Sequence, residues 1–173
     1  MTNSTTAIKI KHPDHGMYST SNNVTITGVS SGVSTTLDGA ITASGTSVTL
    51  TSNTNFPSSG TVHIKIDNEI MSGTISGSTI SSITRGQGST TAAAHSDDAT
   101  VELYMINSVP LTEINKTHTA IANIGIDSYT VSTTTSASIT GASTTAQVGG
   151  TSVYASENYS CLLYTSPSPR DIR

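Results

Sequence analysis

Apolar residues along this chain fall on every second position in short runs, and a two-residue period marks half-buried strands. In "NNVTITGV", Val24 and Ile26 share one face while Thr25 and Thr27 take the other. "TSVTLTS" repeats the arrangement with Val48 and Leu50. "GTVHIKID" turns Val62, Ile64 and Ile66 inward and leaves His63 and Lys65 outward, so His63 reads as a solvated residue. "GSTISSI", "DATVELYMI" with Val101 and Leu103, "DSYTVST" around Tyr129 and Val131, and "GGTSVYAS" extend the series. Turn-forming residues separate the runs at Asp38-Gly39, Pro57 to Gly60 and Gly149-Gly150. Short strands divided by turns predict an all-β sandwich or small barrel.

One segment departs from this pattern. "LTEINKTHTAIANI", Leu111 to Ile124, has loosely spaced isoleucines, and its β-branched residues weaken helix propensity. It is expected to be an irregular crossover with one helical turn, in which His118 hydrogen-bonds a carbonyl.

Alternation is densest over residues 35–104. The flanking pieces each hold too few strands to close a core alone. The expected layout is an Ig-like β-sandwich made of residues 8–34 plus 105–159, split by an inserted small β module at 35–104. Insertion into a surface loop costs little entropy. Two consecutive domains form the competing layout.

Composition narrows the function classes. Charged residues make up 10% of the chain, well below the usual quarter, and there is no Trp and one Phe. A core must therefore rest on Val, Ile, Leu and a few Tyr. Net charge is −4, and Lys9 and Lys11 are the one close basic pair, which argues against nucleic acid as a partner. No apolar run reaches membrane-span length, and residues 1–20 lack the apolar centre of a signal peptide.

The last residues differ from everything before them. "CLLYTSPSPRD", which holds the single cysteine, Cys161, resembles the translation of a transposon-type sequencing adapter along its whole length. Residues 160–173 are therefore expected to be a non-native or disordered tail without function, and the natural protein to continue past Ser160. Without Cys161 neither a disulfide nor a thiolate metal site can form.

Within the middle block, "NFPSSGTVHIKIDNEIMSGTISGSTISSITRGQGSTTAAAHSDDATV" resembles a small β module found in tail-fibre and other structural proteins of tailed bacteriophages. Its pattern is an FPssG turn, a strand ending in D-N-E-I, a strand into T-R-G, and T-x-A-A-x-H before the last strand. Phe56, Pro57, Gly60, Asp67, Asn68, Glu69, Ile70, Thr84, Arg85, Gly86, Ala93, His95 and Val101 fill those places. The flanks, "IKHPDHGMYSTSNNVTITGV" and "PLTEINKTHTAIANIGIDSYTVSTTTSA", resemble large virion structural proteins of marine phages. Two positions depart from the pattern. Ser72-Gly73 stand where an aromatic often follows D-N-E-I, and Asp98 replaces a turn glycine. Asp tolerates the left-handed conformation better than most residues, so the turn is expected to survive.

Candidate chemistry is sparse. Arg85, Glu69 and His95 are the residues a catalytic reading would select, yet in so small a module they are expected to form a polar staple. Arg85 would bridge strand ends through its planar donors, with Glu69 or a nearby carbonyl accepting. His12 and His15, with Asp14 between them, have the ligand types of a metal site but lack a third or fourth partner. Neither Asp97-Asp98 nor Asp67-Asn68-Glu69 shows the spaced acids of a calcium loop. "TRGQGS" has no Lys and no following helix to hold phosphate, and no P-loop or H-E-x-x-H occurs.

No catalytic, cofactor-binding or metal residue is therefore assigned. The resemblance implies a non-enzymatic structural component of a phage particle, in a tail fibre, baseplate or appendage. Such a component would form homo-oligomers, contact other virion proteins, and present loops to a host surface glycan or receptor. The virion would be assembled in the host cytoplasm. The rival readings are an Ig-like adhesion module of a bacterial surface protein and a glycan depolymerase, which would need paired carboxylates in a cleft.

Overall fold

The computed structural model describes residues 5–12, 15–21, 23–137 and 154–157. The first strands are β1 (Thr5–Lys11), β2 (Val24–Thr27), β3 (Ser34–Thr36), β4 (Val48–Thr49), β5 (Ser59–Ile66), β6 (Glu69–Ser76) and β7 (Thr79–Gln87). They are followed by β8 (Thr100–Leu103), β9 (Met105–Ile106), β10 (Val109–Pro110), β11 (Thr117–His118), β12 (Ser128–Ala137) and β13 (Tyr154–Glu157). A 3-10 turn at Leu111–Glu113 supplies the helical turn expected in the crossover, and no α-helix occurs among the described residues. The fold is all-β and sandwich-like.

Six strands form one antiparallel sheet in the order β3-β8-β5-β6-β7-β4. This sheet curls until its outer strands meet. Leu37, just past β3, bridges Leu50, just past β4. Asp38 donates its N–H to Thr49 O at 2.9 Å, and Thr51 donates to Thr36 O at 3.0 Å. The outer strands thus pair with each other, which leaves neither as an open edge.

The curl has a local cause in β7. Between Ile70↔Gln87 and Ser72↔Thr84, and again between Ser72↔Thr84 and Thr74↔Ser81, β7 spends three residues where β6 spends two. Ser82 (φ 53°) and Gly86 (φ 63°) sit in left-handed backbone at these two bulges. Bulges bend a strand and increase its twist. The bulge at Ser82 also carries both Ile80 and Ile83, three positions apart, into the interior. Strict alternation would have put one of them in water.

Val62, Ile64 and Ile66 of β5, Met71 and Ile75 of β6, and Val101 of β8 fill the barrel, with Phe56 packed into the same core. Gly73 is where β6 lacks a side chain. A Cβ there would lie 2.7 Å from Ile80 Cγ2 and 2.9 Å from the Ser81 carbonyl oxygen. The glycine is needed for close approach between β6 and the bulged β7.

A second core gathers Val24 and Ile26 of β2, Val109, Leu111 and Ile114, and Tyr129 and Val131 of β12, along with Met17, Val29 and Ile121. β2 lies between β11 and β13, while β1 pairs with β12 and β9 with β10. This core draws on residues both before and after the barrel.

Several expectations need correction. The D-N-E-I run does not end a strand: Ile66 pairs with Glu69 across a two-residue turn, so Glu69 and Ile70 open β6. Asp67 takes the left-handed turn position at φ 52°. "DATVELYMI" breaks at Tyr104, whose N–H goes to His63 O while its carbonyl accepts from Leu111. "TSVTLTS" contributes two strand residues plus the Leu50 bridge. His63 is half-buried rather than solvated, and burial pushes its pKa below the usual histidine value, partly offset by Glu113. Asp98 does adopt left-handed backbone, φ 62°, in place of the turn glycine. Residues 160–173, and 149–153 of "GGTSVYAS", lie outside the described residues.

Gly73→Ala is expected to destabilise the protein by about 1–3 kcal/mol through overpacking. Chemical denaturation should show a lowered midpoint with an unchanged slope, whereas Ser72→Ala beside it should have little effect.

Candidate functional site

One end of the barrel collects the D-N-E-I turn, the end of β7, residues 92–95 and the turn at 42–45. Each arrives there for a local reason. The two-residue turn places Asp67 and Glu69 at the start of β6. The bulge at Gly86 lets β7 turn sharply, because a Cβ on that left-handed residue would sit 3.0 Å from Thr90 O. A mutual backbone pair, Ile41 N–H to His95 O and His95 N–H to Ile41 O, both 2.9 Å, fixes the strand-like run that carries His95.

Glu69 is the centre of this end and is 1% exposed. Its Oε1 accepts from Arg85 Nε at 2.7 Å and from Gly86 N–H at 3.1 Å. Its Oε2 accepts from Arg85 Nη2 at 2.7 Å and Ala93 N–H at 2.9 Å, and lies 2.9 Å from His95 Nε2. Burial by itself would raise the carboxyl pKa. The donors from Arg85, Ala93, His95 and Gly86 outweigh it and hold the value at about 2.

Arg85 is equally occupied. Besides the two-pronged contact with Glu69, Nη1 donates to Thr42 O at 2.8 Å and Gly45 O at 3.2 Å, and Nη2 donates to Ala93 O. A guanidinium has five N–H donors, and all five are spent. The Glu69 carboxylate raises the Arg85 pKa, with burial opposing it. His95, 4% exposed, completes the set, with Nδ1 2.8 Å from Asp67 Oδ2. Each ring nitrogen of His95 thus has a carboxylate oxygen within hydrogen-bond reach, Asp67 on one side and Glu69 on the other.

The expected staple between Arg85, Glu69 and strand-end carbonyls is therefore present. The motif positions Asp67, Glu69, Arg85, Gly86, Ala93 and His95 all converge on it. Gly86 of "TRGQGS" gives its N–H to Glu69, so that loop does not present it to a phosphate.

The other singled-out residues do not join this site. His15 accepts the Met17 N–H at Nδ1 (3.0 Å), which leaves Nε2 to donate to Gly125 O at 2.9 Å. It clips two loops together, with the His12 and Tyr129 rings at centroid distances of 5.7 and 5.5 Å. Pro13 and Asp14 lie outside the described residues. His118 bonds the Ile114 carbonyl at 3.1 Å, as expected, and burial lowers its pKa. Asp97 accepts from Gly39 N–H at 2.7 Å. Among the described residues no group of three or more His, Cys, Asp or Glu side chains is placed to hold a metal ion.

A second anchored carboxylate was not foreseen. Glu113 accepts from the Thr134 and Thr135 N–H groups and from the Thr135 hydroxyl (2.6 Å), tying the 3-10 turn to β12. Burial opposes ionisation here too, but these donors hold its pKa at about 2. Its partners are 21 and 22 residues away in a threonine run, and nothing local in "LTE" announces them.

No family model matches the chain, and no curated protein or solved structure matches it either.

Arg85→Ala is expected to cost about 3–5 kcal/mol, because it leaves a buried carboxylate without its main counter-charge. Arg85→Lys should restore little of this, since an ammonium lacks the planar fork. Equilibrium unfolding of the three proteins in urea checks both statements.

The acid limb follows from the two carboxylates. Both pKa values are depressed on folding, so their stabilisation is complete above pH 4.5 and lost as pH falls towards 2. Each pKa unit corresponds to about 1.4 kcal/mol. The wild-type urea midpoint should fall across this window, and the fall should be shallower in Glu113→Gln.

Proposed function

We propose that this chain is a non-enzymatic structural component of a phage particle, a shape-holding and surface-presenting segment of a tail fibre, baseplate or appendage. One observation carries the non-catalytic part: the buried charged cluster spends its chemistry on itself. Every guanidinium donor of Arg85 is taken, and both Glu69 oxygens accept two or more donors. A general acid, base or oxyanion donor must offer an atom to a substrate. These atoms are committed to closing a barrel end.

The phage assignment rests on the sequence pattern from Phe56 to Val101. The structure gives that pattern a mechanical sense, since its charged and glycine positions meet in one network. A recurring module held this way suits repeated use in a particle, where rigid β units pack into symmetric oligomers. The closed barrel leaves its outer strands paired, which limits uncontrolled strand addition between copies.

Long-read sequencing across the coding locus tests this reading. A continuous frame among capsid and tail genes is the expected result. A secretion signal followed by many sandwich repeats, among cellular genes, would replace it with the surface-adhesion reading. Release of reducing ends from host envelope polysaccharide by the purified chain would overturn the non-enzymatic assignment.

A further inference from the structure

Where the chain passes between its two cores, both connecting segments line a cleft of about 300 Å³. Thr27, Gly28 and Ser30 come from the segment entering the barrel, Leu103 and Tyr104 from the segment leaving it, and Lys65 and Glu102 from the barrel wall. Asn115 braces the edge, its amide donating to Val29 O and accepting from Val29 N–H, both at 2.9 Å. These two bonds tie the segment entering the barrel to the one that follows it.

We propose that this cleft binds an uncharged sugar ring. Lys65 Nζ and Glu102 Oε2 lie 3.9 Å apart with side chains 34% and 47% exposed, so the wall offers a donor beside an acceptor with little net charge. That pairing fits adjacent hydroxyls, each of which both donates and accepts. A phosphate or carboxylate ligand would find its cation already compensated. Ser30 Oγ accepts from Gly32 N–H at 3.1 Å and keeps its own proton to donate. Tyr104 is half-buried, packs against the second core and lines the cleft as its one aromatic residue, the group the apolar face of a sugar would contact. The volume lies at the small end of ligand sites, which suits a single ring or the end of a glycan chain.

The site is independent of where the protein resides, so its failure would leave the structural reading standing. The test is a two-dimensional amide NMR titration of the full chain with glucose, galactose, N-acetylglucosamine and, as a charged control, glucose 6-phosphate. Small contact area sets the expected Kd on the order of 1 mM. Shifts should centre on residues 27–30, 65 and 102–104 for at least one neutral sugar, and Glu102→Gln should weaken its binding about tenfold. Tyr104→Phe should retain binding, while Tyr104→Ala should lose it. Thermal midpoints of all variants identify any loss caused by unfolding, in which case Glu102→Gln alone decides. Absence of shifts with every neutral sugar, shifts centred elsewhere, or a response to the phosphate sugar alone would overturn the proposal.

Discussion

The structure depends on keeping one buried carboxylate charged. Glu69 is placed where water cannot reach it, and an ionised group in that position is costly unless fully compensated. Compensation requires Arg85, Gly86, Ala93 and His95 to be in place together, which fixes the end of β7, the 92–95 run and the D-N turn relative to one another. Arg85 then reaches the 42–45 turn and ties down the approach to β4. The barrel end is closed by mutual obligation: removing any one donor leaves the others facing a buried charge. An apolar plug could supply similar stability, but it would not dictate which backbone groups must meet.

The second core is organised by the same economy at a smaller scale. Glu113 gathers two backbone N–H groups and a hydroxyl of β12, so a loosely structured crossover is anchored to the longest strand. Asn115 clasps Val29 through two hydrogen bonds and His15 holds Gly125 through one, between segments 86 and 110 residues apart. In a chain with few aromatic and charged residues, specific side-chain to backbone bonds do the work of register that larger hydrophobic side chains would otherwise perform.

The all-β class was legible because side chains alternate across a strand, a local property that needs no knowledge of neighbours. Val24/Ile26, Val62/Ile64/Ile66 and Val101/Leu103 all point where their period says. Asp98 in left-handed backbone was legible for a similar reason, since short polar residues tolerate that region. The Arg85–Glu69 contact was legible as chemistry, because an arginine and a glutamate flanking strand ends need partners.

What the sequence determined by itself was thus period, turn chemistry and the identity of the charged groups that could not be left alone. Tertiary structure decided the rest. Whether β3 and β4 meet depends on curl accumulated over six strands, and that curl comes from bulges visible only as register against β6. Ile80 and Ile83 share the interior because of one such bulge, and His63 is half-buried because of what packs over it. Glu113 and the cleft beside Lys65 and Tyr104 are assembled from segments far apart in the chain. Local sequence fixes how each residue faces its own strand, whereas contacts across the fold depend on how all the strands close together.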